Sequence, residues 1–172
     1  QLGLQVWHEL GRDADIPYRG EELNHDLCAF SRLFLFLCNM ESFSIIERNV
    51  MEPLYEAPDD AGAPKVYLSD LPLTGSRTIP VCREQLLAHD KPINTLYADW
   101  YLLQNIFHRM RGADRAFILV TKGALVRQNE AALRRYIIEQ DWLDAVVHLP
   151  AGLYAGPPLP VELLVCQKTR PA

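Results

Sequence analysis

No Cys-x-x-Cys pair, no His-x-x-His spacing and no His-Glu-x-x-His run occurs in this chain. The ligand patterns that mark zinc centres are missing, and no metal site is expected. Cysteine itself is sparse. Cys28, Cys38, Cys82 and Cys166 sit mostly in apolar surroundings and read as reduced, buried thiols of a cytoplasmic protein. The longest apolar run, Leu33 to Cys38, is far too short to span a bilayer. No signal-peptide pattern opens the chain, which starts without Met. A P-loop, a Gly-x-Gly-x-x-Gly turn and a Gly-x-Ser-x-Gly elbow are all absent. That argues against nucleotide hydrolases, dinucleotide enzymes and serine hydrolases. Basic charge is also short: 17 Lys and Arg against 22 Asp and Glu leave a formal charge of −5. A module that grips nucleic acid unaided needs clustered cations, so that class is set aside. Two small basic knots, Arg109-Arg111-Arg115 and Arg127-Arg134-Arg135, read as solvated faces.

What is present is a chain of 172 residues, 49% hydrophobic, read as a single domain over 1–172 with enough material to bury a central sheet. Leu2, Val6 and Leu10 share one face of a short helix ending at Gly11. Ile16 to Gly20 reads as a strand ending in Glu21-Glu22, and Asn24 as the N-cap of the next helix. That helix carries Leu27, Phe30, Leu33, Phe34, Leu37 and Cys38, a face wide enough for cover on more than one side. Phe43 to Glu47 alternates as a strand does, 52–64 is an acidic loop, and Lys65 to Leu68 is the next strand. Little pattern marks 74–94 beyond a helical turn near Glu84 to Ala88. Ala98 to Met110 is helical, with Leu102, Ile106 and Met110 on one side.

The last third is the most regular. Phe117 to Val120 is a strand, Thr121 to Leu125 turns out of it, and Glu130 to Glu139 carries Leu133, Tyr136 and Ile137 at helical spacing. Leu143 to Leu149 returns as a buried strand, a Pro/Gly loop follows, and Val161 to Cys166 is strand again. Strands alternating with helices imply an α/β fold with a mostly parallel, doubly wound sheet. Ligands of such sheets sit beyond the carboxyl ends of the strands. The loops to inspect are therefore Gly20–Asn24, Arg48–Pro53, Ser69–Ser76 and Thr121–Leu125.

This succession, with Leu149-Pro150 and Leu153-Tyr154 in the loop before the final strand, resembles the C-terminal half of the adenine-specific (N-6) DNA methyltransferases that serve as modification subunits of type I restriction systems. Tyr18-Arg19-Gly20-Glu21-Glu22 matches the family's Gly-x-Glu element, and Cys28 to Arg32 with Leu35 to Leu37 match the helix that follows it. The resemblance implies a Rossmann-like class I S-adenosylmethionine-dependent methyltransferase fold acting on a base swung out of the duplex. It makes Glu22 the acid that holds the cofactor's ribose hydroxyls; as a bare residue, Glu22 is equally a solvated strand-end acid. Asn49 falls where the family has an Asp that binds the cofactor's adenine, or serves as a cap or turn residue. The family's Asn-Pro-Pro-Phe/Tyr tetrapeptide falls on Asp70-Leu71-Pro72-Leu73, making Asp70 and Pro72 the catalytic candidates, with Asp70 alternatively a plain turn residue. Tyr154 stands where the family has Phe.

The departures share a theme. Leu71 replaces a proline, Leu73 replaces the ring that stacks on the flipped base, and Asn49 replaces Asp. The family's Gly-rich cofactor turn belongs ahead of Leu2, so the fold is expected truncated at its first strand, with upstream residues omitted. Scaffold motifs are kept and site motifs are altered. The expectation is a methyltransferase-like domain weakened or inactive as an enzyme, serving as a structural or regulatory partner, its S-adenosylmethionine site retained or vestigial. The alternative is an active adenine-specific enzyme completed by its upstream motif. In either case DNA would be reached through a specificity subunit or a partner methyltransferase subunit, with no membrane role.

Overall fold

The computed structural model describes residues 9, 16–50, 62, 64–70, 98–150, 152 and 160–168. The expected helix over Leu2 to Leu10, apart from Glu9, which is helical, and the turn near Glu84 fall outside them, as do Leu71, Pro72, Leu73 and Tyr154. The chain divides into two compact units, Gln1–Glu52 and Pro53–Ala172.

In the first unit β1 (Tyr18–Glu22) leads to α1 (His25–Leu37) and then β2 (Phe43–Glu47). The strands pair in parallel, from Tyr18 opposite Phe43 to Glu22 opposite Glu47. Asn24 caps α1 as expected, its Oδ1 accepting from the Leu27 N–H at 3.0 Å. The helix stops at Asn39, whose φ of 58° is left-handed. There Asn39 N–H donates to Phe36 O and Met40 N–H to Leu35 O, a paired closure that satisfies the last carbonyls. Cys28, Leu35, Met40 and Ile45 form the core, with Tyr18 and Phe43 packed against it. Gly20 is dictated by proximity: a Cβ there would lie 2.7 Å from Ile45 Cδ1. The opposite side of α1 departs from its expected cover. Leu27, Phe30, Leu33, Phe36 and Leu37 are exposed, and Phe30 stacks on Phe34 at 6.0 Å. A two-stranded sheet covers one side of a helix only.

The second unit runs β3 (Val66–Asp70), α2 (Ala98–Arg109), β4 (Arg115–Thr121), α3 (Lys122–Val126), a 3-10 turn (Gln128–Glu130), α4 (Ala131–Glu139), β5 (Leu143–Leu149) and β6 (Val161–Gln167). Its sheet has the order β3-β4-β6-β5. β3 and β4 are parallel, while β6 runs antiparallel to both β4 and β5. Strands β3, β4 and β5 therefore share one direction and β6 alone is reversed, which makes the sheet mixed. The cause is the connection: α3 and α4 carry the chain over from β4 to β5, but no crossover helix precedes β6 among the described residues.

Burial corrects two expectations. Leu143 to Leu149 is a strand as expected, but not a buried one: Asp144 to His148 are exposed. β6 inserts beside β4 and leaves β5 at the end of the sheet. In α2, Trp100, Tyr101, Leu102, Leu103, Phe107 and Met110 at its end are all buried, more than a single stripe, while Ile106 is only half-buried. Against β4 the alternation is regular, with Ala116, Ile118 and Val120 fully buried. The segment Thr121–Leu125, expected as a turn, is mostly the short helix α3. α4 closes as α1 does, through Asp141 at φ 56°, with Trp142 N–H donating to Ile137 O.

Candidate functional site

Each unit presents strand ends where a doubly wound sheet holds its ligands. In the first unit, Glu22 closes β1 directly opposite Glu47, which closes β2. The Glu22 carbonyl anchors this end, accepting from the Arg48 N–H at 2.8 Å and from the Cys28 thiol at 3.3 Å. Its carboxylate accepts from the Asn24 N–H through Oε1 at 2.8 Å. One oxygen is thus committed to the turn that starts α1, and Oε2 has no hydrogen bond among the described residues. A half-buried carboxylate fixed by one oxygen suits a vicinal diol, whose hydroxyls donate to it.

Around it, His25 Nδ1 lies 2.8 Å from Glu47 Oε2, tying the first turn of α1 to the end of β2. Glu21, on the other face, has Arg19 at 3.8 Å and Arg48 at 4.0 Å. Asn49 is half-buried just past β2, so Glu22 and Asn49 meet at the same end of the two-stranded sheet. No group of three or more His, Cys, Asp or Glu with metal-holding geometry exists among the described residues.

In the second unit Asp70 is the last residue of β3 and is exposed. It sits opposite Leu119 of β4, two residues before that strand ends. Pro72, the other catalytic candidate, lies outside the described residues with Leu71 and Leu73.

The turn leaving β4 is held by a charged clasp that sequence reading missed. Arg127 donates through Nη2 to both oxygens of Asp99 at 2.7 Å and through Nε to Glu130 at 2.6 Å. Thr121 Oγ1 donates to Asp99 as well, at 3.3 Å. The three side chains are 19%, 12% and 0% exposed for Arg127, Asp99 and Glu130. Burial alone works against the guanidinium charge; the hydrogen bonds and charges of Glu130 and Asp99 outweigh it and raise the Arg127 pKa. Trp100 Nε1 and Arg134 Nη1 both donate to Ala124 O, at 2.8 Å and 3.1 Å, and Arg134 Nη2 to Arg127 O at 2.8 Å. Arg127 and Arg134 are thus structural fasteners of the turn rather than a solvated face. The Arg127–Glu130 spacing was legible as a helix-turn ion pair; Asp99, on another element, was not.

Asp114 does similar work before β4. It accepts from the Lys65 N–H at 2.8 Å and the Arg111 N–H at 2.9 Å. Cys166 lies fully inside, and burial, with Asp144 adding, pushes its thiol up from 9.0 to about 12. Cys28 is buried too and Cys38 half-buried, all three as free thiols.

Parallel strands with helical crossovers, an acid at the end of β1 and a reversed last strand define the class: this is the fold of the class I S-adenosylmethionine-dependent methyltransferases. A Listeria monocytogenes protein assigned to that class superposes with a TM-score of 0.70 at 17% identity, over 96% of this chain and 48% of its own. The N-6 DNA Methylase family model matches residues 5–172, and the chain belongs to that family, that of the N-6 adenine DNA methyltransferases. It is 26% identical to the type I restriction enzyme MpnII methylase subunit of Mycoplasma pneumoniae, over 98% of this chain and 34% of that protein. The type I restriction-modification methyltransferase subunit of Streptococcus thermophilus has the same fold, with a TM-score of 0.80 at 18% identity over 97% of this chain and 37% of its own. The chain thus spans about a third of the curated relative's length.

Proposed function

We propose that this chain is a methyltransferase-like domain whose transfer chemistry is weakened or lost, serving as a structural or regulatory partner in a modification system. The observation that carries the reading is the tetrapeptide beginning at the end of β3, Asp70-Leu71-Pro72-Leu73. Leu73 offers no ring to a flipped base, and base–aromatic stacking is worth roughly 1–3 kcal/mol per base on single strands. Leu71 would lack the φ restriction of the proline that the family has at that position. An acceptor misplaced by about an ångström costs on the order of a hundredfold in rate.

S-adenosylmethionine, when bound, supplies the methyl group as an electrophile. Glu22 would take its ribose hydroxyls, and Asn49 would stand beside its adenine. DNA would come through a specificity subunit or a partner methyltransferase subunit, since the net charge of −5 does not favour unaided binding. We place the protein in the cytoplasm, where its thiols stay reduced.

A second reading, an active adenine-specific methyltransferase, draws on Asp70, which ends β3 and would accept from the target amine. Calorimetric titration of S-adenosylmethionine into the longest natural chain separates the cases. Saturable binding lost in Glu22→Ala means a working cofactor pocket and opens the enzyme reading. Absence of heat from folded protein means a vestigial site and a scaffold role.

A further inference from the structure

The amino end of β3 and β4, opposite the end that Asp70 closes, carries a row of cations. Lys65 immediately precedes β3, and its carbonyl accepts from the Arg115 N–H at 3.0 Å. Arg115 opens β4 and lies opposite Gln167 of β6, the residue before Lys168. Neighbouring strands are about 4.8 Å apart, so the row runs roughly 10 Å across three of them. Lys65 and Arg115 are exposed and Lys168 is half-buried. None of the three forms an ion pair among the described residues.

Two of these cations are held in place. Gln167 is 8% exposed, and its Oε1 accepts from Arg115 Nε at 3.2 Å. That bond fixes the guanidinium by its inner edge and leaves both Nη groups outside it. Lys168 Nζ lies 4.7 Å from the centre of the Trp142 ring. The acid among them, Asp114, is buried, and its oxygens accept from the backbone N–H groups of Lys65 and Arg111.

We propose that this end of the sheet binds the phosphate backbone of DNA, Arg115 taking one phosphate through its two Nη groups and Lys65 and Lys168 the phosphates beside it. An arginine fork matches a phosphate with two parallel hydrogen bonds, and lysine binds as a point charge. A row of this length meets more than one phosphate of a strand, whereas a lone carboxylate needs one cation only. Contacts of this kind fix where a duplex lies without reading its sequence. Since Asp70 closes the other end of β3, the row is separate from any target-base pocket there. Three contacts on a chain of net charge −5 make the binding weak and sensitive to salt. The proposal rests on the reading above for the identity of the partner, DNA, and stands whether or not methyl is transferred.

Fluorescence anisotropy of a short labelled duplex, titrated with the full chain at low ionic strength, tests it. The expected result is saturable binding that Arg115→Gln weakens at least about fivefold, with the slope of log affinity against log salt reduced by about 1. Lys65→Gln, at an exposed side chain that holds nothing in the fold, should lower the slope likewise. Arg115→Lys keeps the charge but not the fork, and should fall between. Lys122→Gln makes the same charge change just past the other end of β4 and should leave binding as it is. No binding by the folded protein, binding indifferent to Arg115→Gln and Lys65→Gln, or an equal loss in Lys122→Gln would overturn the proposal. Preference of the same residues for polyglutamate over the duplex would overturn it too, making the row a seat for an acidic protein segment. Methylation is not the readout, so failed transfer and a failed phosphate site are told apart.

Discussion

Glu22 and Asp70, two of the acids that end strands among the described residues, have different surroundings. Glu22 is half-buried, with one carboxylate oxygen fixed by the Asn24 N–H and its carbonyl tied to Arg48 and Cys28. Asp70 is exposed at the tip of β3 and is followed by Leu-Pro-Leu. Glu22 is tied to the turn that starts α1; Asp70 opens the tetrapeptide on which the proposed loss of transfer rests.

The largest expected effect falls on the clasp that fastens the turn after β4. Arg127→Ala leaves the fully buried Glu130 carboxylate without its guanidinium. Removing one partner of a buried pair costs about 3–5 kcal/mol, read as a lower urea midpoint. Arg127→Lys keeps the charge but not the fork, and should fall between. On the other unit, Gly20→Ala drives a methyl toward Ile45 and should cost about 1–3 kcal/mol by overpacking, seen as lost amide protection across β1 and β2.

Asn24→Ala removes the cap of α1 at about 1 kcal/mol. It also loosens the turn whose N–H holds Glu22, so cofactor binding, if present, should weaken with stability. The comparison sharpens further with repair. Leu71→Pro with Leu73→Tyr, in the longest natural chain, should raise methyl transfer if the β3 end has merely drifted; no gain would mean that the cofactor side has failed as well. The smallest effect is kinetic: Cys166, pushed up to about 12 chiefly by burial, should resist alkylation at neutral pH until the protein unfolds.

Local signals were legible and sheet position was not. Phe43–Glu47 and Leu143–Leu149 were read with the boundaries the structure has, and Asn24 was read as a cap, because alternation and capping are written in adjacent residues. The mostly parallel order was read from alternating strands and helices, and the methyltransferase class from a resemblance of motifs. That β5 is an edge depends on where β6 inserts, a contact between strands, so an apolar run alone read as buried. The partner of Arg127 on α2 was invisible for the same reason, since Asp99 lies 28 residues away. Glu22 and Asn49 were named as candidates through motif position, and the parallel register of β1 and β2 is what brings them to one end.

The central claim is that the scaffold survives while transfer is weakened or lost. The most direct measurement is mass-spectrometric quantification of 6-methyladenine in duplex DNA incubated with S-adenosylmethionine and the longest natural chain, alone and with the proposed partner subunits. The account predicts no methylation beyond a protein-free blank, or a trace that Leu71→Pro with Leu73→Tyr increases. Robust methylation by the natural sequence, abolished in Asp70→Ala, would contradict it.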